Sequence, residues 1–311
     1  MPVAPIRPVP PLRAGARVAL VAPAGTLTGP EDVERAEENA RSLDWEPRTG
    51  ANVMKKHRYF AGTDEERLRD LNDAIRDDDI DAIWCIRGGY GAMRILPDVD
   101  YDALRRRPKP VIGFSDLTSL LEAVSSRSRI VCFHGPTARM RLTDFTRASL
   151  LAAVSEGTDP CGAAPGARVL RGGTAEGRLV GGNLALVAAM TGTQFAPGLD
   201  DAILFLEDVG ERTYRVDRML RQIYLSGALD NCRAIVFGEC TDCNEDTASG
   251  TRELDEILME MADLVGVPCV AGAPIGHIDD QWTLPVGARA RLDADARTLS
   301  VLPHAAVANT A

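Results

Sequence analysis

Lys109-Pro110-Val111-Ile112-Gly113-Phe114-Ser115-Asp116-Leu117, running on into Thr118-Ser119-Leu120-Leu121-Glu122-Ala123-Val124, is the stretch whose reading decides the fold. An apolar strand stops at Gly-Phe-Ser-Asp, and the residues after it carry the spacing of an amphipathic helix. Ser115 therefore falls on a tight strand-to-helix turn at the C-terminal edge of a sheet, where amides at a helix start favour negative charge. Such a turn can expose a serine as a nucleophile. The usual elbow is Gly-x-Ser-x-Gly, and here Leu117 replaces the second glycine. The plain alternative is a serine that only caps the helix.

Outward from this turn, short apolar strands alternate with helical patterns, the signature of a parallel sheet covered on both faces. Arg17 to Val21 reads as a strand ending in the Pro23-Ala24-Gly25 turn. Pro30 to Leu43 and Asp64 to Arg76 read as helices, the second with Thr63 as N-cap. Asp81 to Ile86 is a buried strand that ends in Arg87-Gly88-Gly89-Tyr90-Gly91, and Ile130 to His134 is another. Ligands of such sheets bind at the carboxyl ends of the strands, where Arg87 to Gly91 and Ser115 both fall.

Around 157–177 the composition shifts to Gly, Ala, Pro and Thr, which suggests a linker. Beyond it, strands are expected at Ala202 to Leu206, Ala234 to Phe237 and Cys269 to Ala271. Helices are expected at Asn183 to Met190, Val216 to Leu225 and Arg252 to Leu264. A hairpin is expected around Asp295-Ala296. The expected organisation is an extended tail (1–15), a nucleophile domain (16–156), a linker (157–176) and a second α/β domain richer in strands (177–311).

The chain has 311 residues, 45% of them hydrophobic, which suits two globular domains. A formal charge of -10 argues against nucleic acid as a partner, since phosphate binding needs clustered cations. The basic cluster Arg105-Arg106-Arg107-Pro108-Lys109 is the local exception and reads as a solvated loop. No apolar run approaches the roughly 18 residues of a membrane span, and the proline-broken N-terminus lacks a signal-peptide core. A cytoplasmic protein is the default expectation. Most of the seven cysteines sit in apolar runs, as small core residues do in a reducing compartment. Cys240 and Cys243 form a Cys-x-x-Cys, but a zinc site would need a second pair of ligands that the sequence does not offer.

A serine nucleophile needs a base and a group that orients the base. There are four histidines: His57, His134, His277 and His304. His57 follows two lysines in a loop, and His304 lies in a terminal tail. His134 directly follows a core strand, where a structurally hydrogen-bonded imidazole is expected. His277 lies in a loop bounded by Gly and Pro, either as a base or as an ordinary surface residue. Glu207 follows the apolar run Leu204-Phe205-Leu206, and a buried carboxylate requires a partner. That partner is an imidazole or one of Arg212, Arg215 and Arg218. An oxyanion hole could use the Asp116 amide together with the Gly88-Gly89 backbone, which without a Cβ can approach a ligand closely.

Several segments then fit one family in order: Val21-Ala22-Pro23-Ala24-Gly25, Arg87 to Gly91, Gly113 to Asp116, Gly181-Gly182-Asn183-Leu184, Leu206 to Glu211, and Gly276-His277. The chain resembles the LD-carboxypeptidase family of serine peptidases, which includes the microcin C immunity proteins. The resemblance implies an α/β fold: an N-terminal flavodoxin-like, class I glutamine-amidotransferase-like parallel-sheet domain joined to a smaller β-rich α/β C-terminal domain. It implies catalytic Ser115, Glu207 and His277, an oxyanion hole from the Gly89 and Asp116 amides, and substrate contacts at Gly88 and Tyr90. No metal or other cofactor is implied. The implied substrate is a small peptide, a murein tetrapeptide cut before its terminal D-alanine during cell-wall recycling. Neither nucleic acid nor membrane is an implied partner, and a homodimer is. An alternative is amide hydrolysis in a microcin C-like peptidyl-nucleotide. The immunity branch carries an aromatic that stacks on the nucleotide, whereas 157–177 holds none. The loop after the histidine, Ile278 to Trp282, is unusually acidic, and Trp282 is a candidate for lining the substrate cleft.

Overall fold

The apolar runs of the first half become strands of one sheet, and the amphipathic segments between them become its covering helices. The computed structural model describes residues 5–243 and 253–303. The first half contains β1 (Arg17–Val21), α1 (Pro30–Ser42), β2 (Glu46–Thr49), α2 (Asp64–Arg76), β3 (Ala82–Cys85), α3 (Ala92–Ile95), α4 (Tyr101–Arg106), β4 (Val111–Gly113), α5 (Thr118–Ser128), β5 (Cys132–His134) and α6 (Asp144–Leu151). The second contains β6 (Gly162–Ala163), β7 (Arg168–Arg171), β8 (Thr174–Asn183), α7 (Leu184–Met190), β9 (Ala202–Val209), α8 (Thr213–Leu225), β10 (Ala234–Thr241), α9 (Leu254–Val265), β11 (Cys269–Ala271), β12 (Leu284–Val286), β13 (Arg289–Asp293) and β14 (Thr298–Val301).

The first sheet has the order β12-β5-β4-β3-β1-β2. Its β1 to β5 are parallel, in the flavodoxin-like doubly wound order. The strand order reverses between β1 and β3, and there the loops after these strands touch: Gly25 N–H donates to the Gly88 carbonyl at 2.9 Å. A Cβ on Gly25 would lie 2.9 Å from that same oxygen, so the approach requires glycine. The second sheet has the order β6-β14-β13-β8-β9-β10-β11-β7, with β8 to β11 parallel at its centre and antiparallel strands on both sides. The mixed α/β architecture agrees with the sequence reading. Helix α2 starts at Thr63 with a full capping box to Glu66, and the β13–β14 hairpin forms where period-two alternation places it.

Three segments behave differently from their local sequence. The stretch 157–176, expected as a linker, carries β6, β7 and the start of β8. Its Gly and Pro content marks turns, while its strand partners come from far along the chain, such as Ala271 opposite Arg168. From within the segment 177–311, β12 leaves for the first sheet and pairs antiparallel with β5, Leu284 opposite His134. Lys109 is no solvated loop residue: it is 2% exposed, and its Nζ donates to the Ala74 and Asp77 carbonyls at the end of α2. Neighbouring Arg105 and Arg107 pair with Asp102 and Asp78. The N-terminal tail is extended but docked, Arg7 bridging Ile130 and Leu12 N–H donating to the Val154 carbonyl at 2.8 Å.

The two sheets meet through α5, the helix that follows Ser115. Glu122 Oε1 accepts the Gly181 amide at 2.7 Å, and Thr118 Oγ1 accepts the Asn183 amide at 2.9 Å. A Cβ on Gly182, whose φ is +138°, would sit 2.4 Å from Thr118 Oγ1. The glycine pair before Asn183 thus lets the end of β8 lie directly against α5. Among the described residues, no helix is long and apolar enough to cross a membrane.

Candidate active site

Ser115 leaves β4 through a backbone with φ +65°, the left-handed region that side chains with a Cβ avoid. This is the sharp strand-to-helix turn of a nucleophile elbow, and holding a non-glycine residue there stores about 1–2 kcal/mol of strain. The missing second glycine has a steric explanation. Leu117 folds back over Gly113, where an added Cβ would lie 2.5 Å from Leu117 Cδ1. The bare face of Gly113 accepts the leucine, so the turn closes without a glycine at 117.

Gly88 flanks the serine: a Cβ there would lie 2.9 Å from Ser115 Cβ and 3.1 Å from Oγ. Asp116 ties this loop to the serine turn. Its Oδ2 accepts the Ala92 amide at 2.8 Å, and the residue is 2% exposed. Burial pushes its carboxyl up to about 6, opposed by the amides of Ala92 and Gly91 and by the Arg67 guanidinium. Arg67 is itself a fully buried side chain, donating to the carbonyls of Pro23 and Gly91 and pairing with Asp64. Sequence reasoning passed over it because an arginine on an amphipathic helix reads as a surface residue. Tyr90 is exposed and stacks on Phe60 at 5.8 Å, with Tyr59 tilted beside both.

Glu207 and His277 come together. His277 Nδ1 lies 2.8 Å from Glu207 Oε2, with the glutamate side chain 0% and the histidine 22% exposed. The open choice for the Glu207 partner is thereby decided in favour of imidazole, and Arg215 pairs with Glu211 instead. Glu207 stands opposite Asn183 in the β8–β9 register, on the same face of β9 as Phe205 and towards the first sheet. The imidazole packs at 4.7 Å against the ring of Phe114, the residue before Ser115. Gly276 allows the loop to pass this close, since its Cβ would lie 3.0 Å from Glu207 Oε2.

The other histidines separate clearly. His57 is exposed in its loop, and His304 lies outside the described residues. His134 is 0% exposed, 5.1 Å from the Phe205 ring and 5.9 Å from Phe114, and neither ring nitrogen has a partner among the described residues. The expected structural hydrogen bond is absent: the ring is enclosed between Phe114 and Phe205, with Glu207 and His277 nearby but not bonded to it. Burial pushes its pKa down to about 4, which keeps it neutral. Trp282 is 2% exposed; it borders a pocket beside α6 with Asp144, Ser149 and Cys161, away from Ser115 and His277. Asp208, missed in the sequence, turns to the opposite face of β9 from Glu207. It accepts hydrogen bonds from Asn183 Nδ2 and the Ala185 amide, both at 3.0 Å, and fixes the start of α7. No group of three or more His, Cys, Asp or Glu placed to hold a metal ion occurs among the described residues.

Comparison with known proteins matches residues 18–135 to the LD-carboxypeptidase N-terminal domain and residues 176–292 to the LD-carboxypeptidase C-terminal domain. The chain belongs to the LD-carboxypeptidase family. It is 35% identical over 298 residues to the murein tetrapeptide carboxypeptidase of Pseudomonas aeruginosa, covering 90% of this chain and 94% of that one. The crystal structure of muramoyltetrapeptide carboxypeptidase from Oxalobacter formigenes superposes with a TM-score of 0.82 at 32% identity, covering 92% and 98% of the two chains. The microcin C7 self-immunity protein MccF of Escherichia coli is 27% identical over 288 residues, 81% of this chain and 83% of its own. This LD-carboxypeptidase family member is accordingly an enzyme of the serine-type carboxypeptidase class.

Proposed function

We propose that the protein hydrolyses the L,D-peptide bond before the terminal D-alanine of murein tetrapeptides, through an acyl-enzyme on Ser115. The observation that carries this reading is the 2.8 Å contact between His277 Nδ1 and the fully buried Glu207, with the imidazole packed against Phe114, the residue next to Ser115. Nδ1–H donates to the carboxylate, which leaves Nε2 with a lone pair for the serine proton. Ser115 Oγ attacks the carbonyl carbon, His277 takes the proton, and Glu207 stabilises the imidazolium. The Gly89 and Asp116 amides stabilise the oxyanion, while Gly88 and Tyr90 border the peptide. The proton passes from His277 to the departing D-alanine nitrogen. Water, deprotonated by His277, then releases the tripeptide and restores Ser115.

The test is D-alanine release from a murein tetrapeptide by purified protein. Absence of release, or release that survives Ser115→Ala, overturns the reading. Similarity to MccF supports a second substrate class, the amide bond of a peptidyl-nucleotide, cut by the same three residues. The stretch 157–177 holds no aromatic to stack on a nucleobase, which favours the peptide. Turnover of the two substrates side by side separates them.

A further inference from the structure

The Cys-x-x-Cys at the end of β10 plays no part in the chemistry above, yet it lies against the elements that carry Glu207 and His277. Cys243 N–H donates to the Cys240 carbonyl at 3.3 Å, closing a four-residue turn with Asp242 at φ +55°. Such a turn holds its end Cα atoms within about 7 Å, the span that a disulfide bridges. The two thiols lie close enough to titrate together, and the backbone N–H of Glu211, in the loop that follows Glu207, lies beside the Cys243 sulfur. On the other strand of the junction, Cys240 stands opposite Asp208. Between the cysteines, Thr241 Oγ1 donates to the His277 carbonyl at 3.3 Å, and its own carbonyl accepts the Gly210 amide at 2.8 Å.

We propose that Cys240 and Cys243 are a reversible dithiol–disulfide site, closed by hydroperoxides, whose closure slows acylation of Ser115. Its effect on the site rests on the Ser115–His277–Glu207 reading above. Closure takes Cys243 away from the Glu211 amide and redraws the turn from which Thr241 holds His277, so the loop after Glu207 and the loop carrying His277 each lose a fixed neighbour.

Hydrogen bonds from the Cys240 thiol and the Glu211 amide push the Cys243 thiol down, whereas its contact with Cys243, together with burial, pushes Cys240 up. Burial instead raises Cys85, Cys132, Cys161, Cys232 and Cys269. Within the pair, Cys240 is half-buried and Cys243 is 3% exposed, so peroxide reaches the pair from the Cys240 side. One thiolate of the pair attacks a peroxide oxygen; the S–O bond forms, the O–O bond breaks, and hydroxide leaves to be protonated to water. The other sulfur then attacks the sulfenic acid; the S–S bond forms, the S–O bond breaks, and a second water leaves with that thiol's proton. Two thiols and one hydrogen peroxide become one disulfide and two waters.

The test treats the reduced protein with graded hydrogen peroxide, alkylates the remaining thiols, and maps disulfides by peptide mass spectrometry. The labelling rate of Ser115 by a fluorophosphonate is followed in parallel. The expected result is a Cys240–Cys243 disulfide at doses that leave Cys85 and Cys132 reduced. Labelling should fall by roughly tenfold, as a modest misplacement of catalytic groups predicts, and recover with dithiothreitol. Cys240→Ser and Cys243→Ser, with Cys240→Ala as a second variant, should keep the rate of the reduced protein and lose the response to peroxide. Absence of that disulfide overturns the proposal, as does a closed disulfide that leaves labelling unchanged. Reduced protein that fails to label Ser115 overturns the acylation reading instead, and this is seen before any peroxide is added.

Discussion

Ser115 and the Glu207–His277 pair are held by different means. Ser115 is fixed by its own neighbours in sequence: a strand, a left-handed residue and a helix within a few positions, with Leu117 seated on Gly113. Glu207 and His277 are 70 residues apart, and they meet only because β8, β9 and β10 keep register and the loop after β11 folds back over them. A side chain on a local turn keeps its geometry even when distant packing loosens. A pair held by long-range packing transmits any shift of the sheet directly to its own hydrogen bond.

This contrast can be broken or sharpened by substitution. The largest effect belongs to the local half: Ser115→Ala should lower D-alanine release by about 10⁴-fold or more, with the melting temperature nearly unchanged. A large fall in melting temperature would show the turn to be a structural keystone instead. Glu207→Gln keeps the shape of the distant half but leaves the imidazolium without its carboxylate, and kcat should fall by about 10³- to 10⁴-fold. A loss confined to KM would remove Glu207 from the proton path.

Thr118→Val tests the seam between the two halves. It leaves the Asn183 amide without its acceptor, which should cost about 1–3 kcal/mol in urea unfolding. Activity should fall by roughly ten- to a hundredfold through misplacement alone. Unchanged kcat in a destabilised protein would mean that the halves keep alignment without this contact.

Glu122→Gln gives the smallest effect and reads the same seam through pH. Burial pushes the Glu122 carboxyl up from 4.5 to about 7. A carboxyl raised in the folded state adds stability that is complete below its unfolded pKa and lost as pH rises through the folded one. The wild type should therefore lose stability between about pH 4.5 and 7, and the variant should lose less, by on the order of 2 kcal/mol. Asp116 and Asp208, both pushed up to about 6, act in the same direction and remain in the variant. Parallel stability–pH curves for the two proteins would refute the assignment.

Much of this was legible beforehand where the signal was local. Thr63 and Glu66 mark the start of α2, and Gly113 to Leu117 mark the elbow. Other features were hidden because their partners are remote. Burial of Lys109 and Arg67 depends on carbonyls brought from other elements, and long charged side chains carry no sequence mark of being enclosed. The strands within 157–176 were hidden for the same reason, since pairing of an edge strand is decided by the edge it meets.

The amino-acid order alone determined the doubly wound half-fold, the serine turn and the family, because periodicity and turn chemistry act over a few residues. Only the tertiary structure decided that Glu207 binds an imidazole rather than an arginine, that His134 is enclosed and neutral, and that α5 joins the two sheets. Those outcomes depend on desolvation and on contacts between residues dozens of positions apart, and neither quantity exists until the chain has closed on itself.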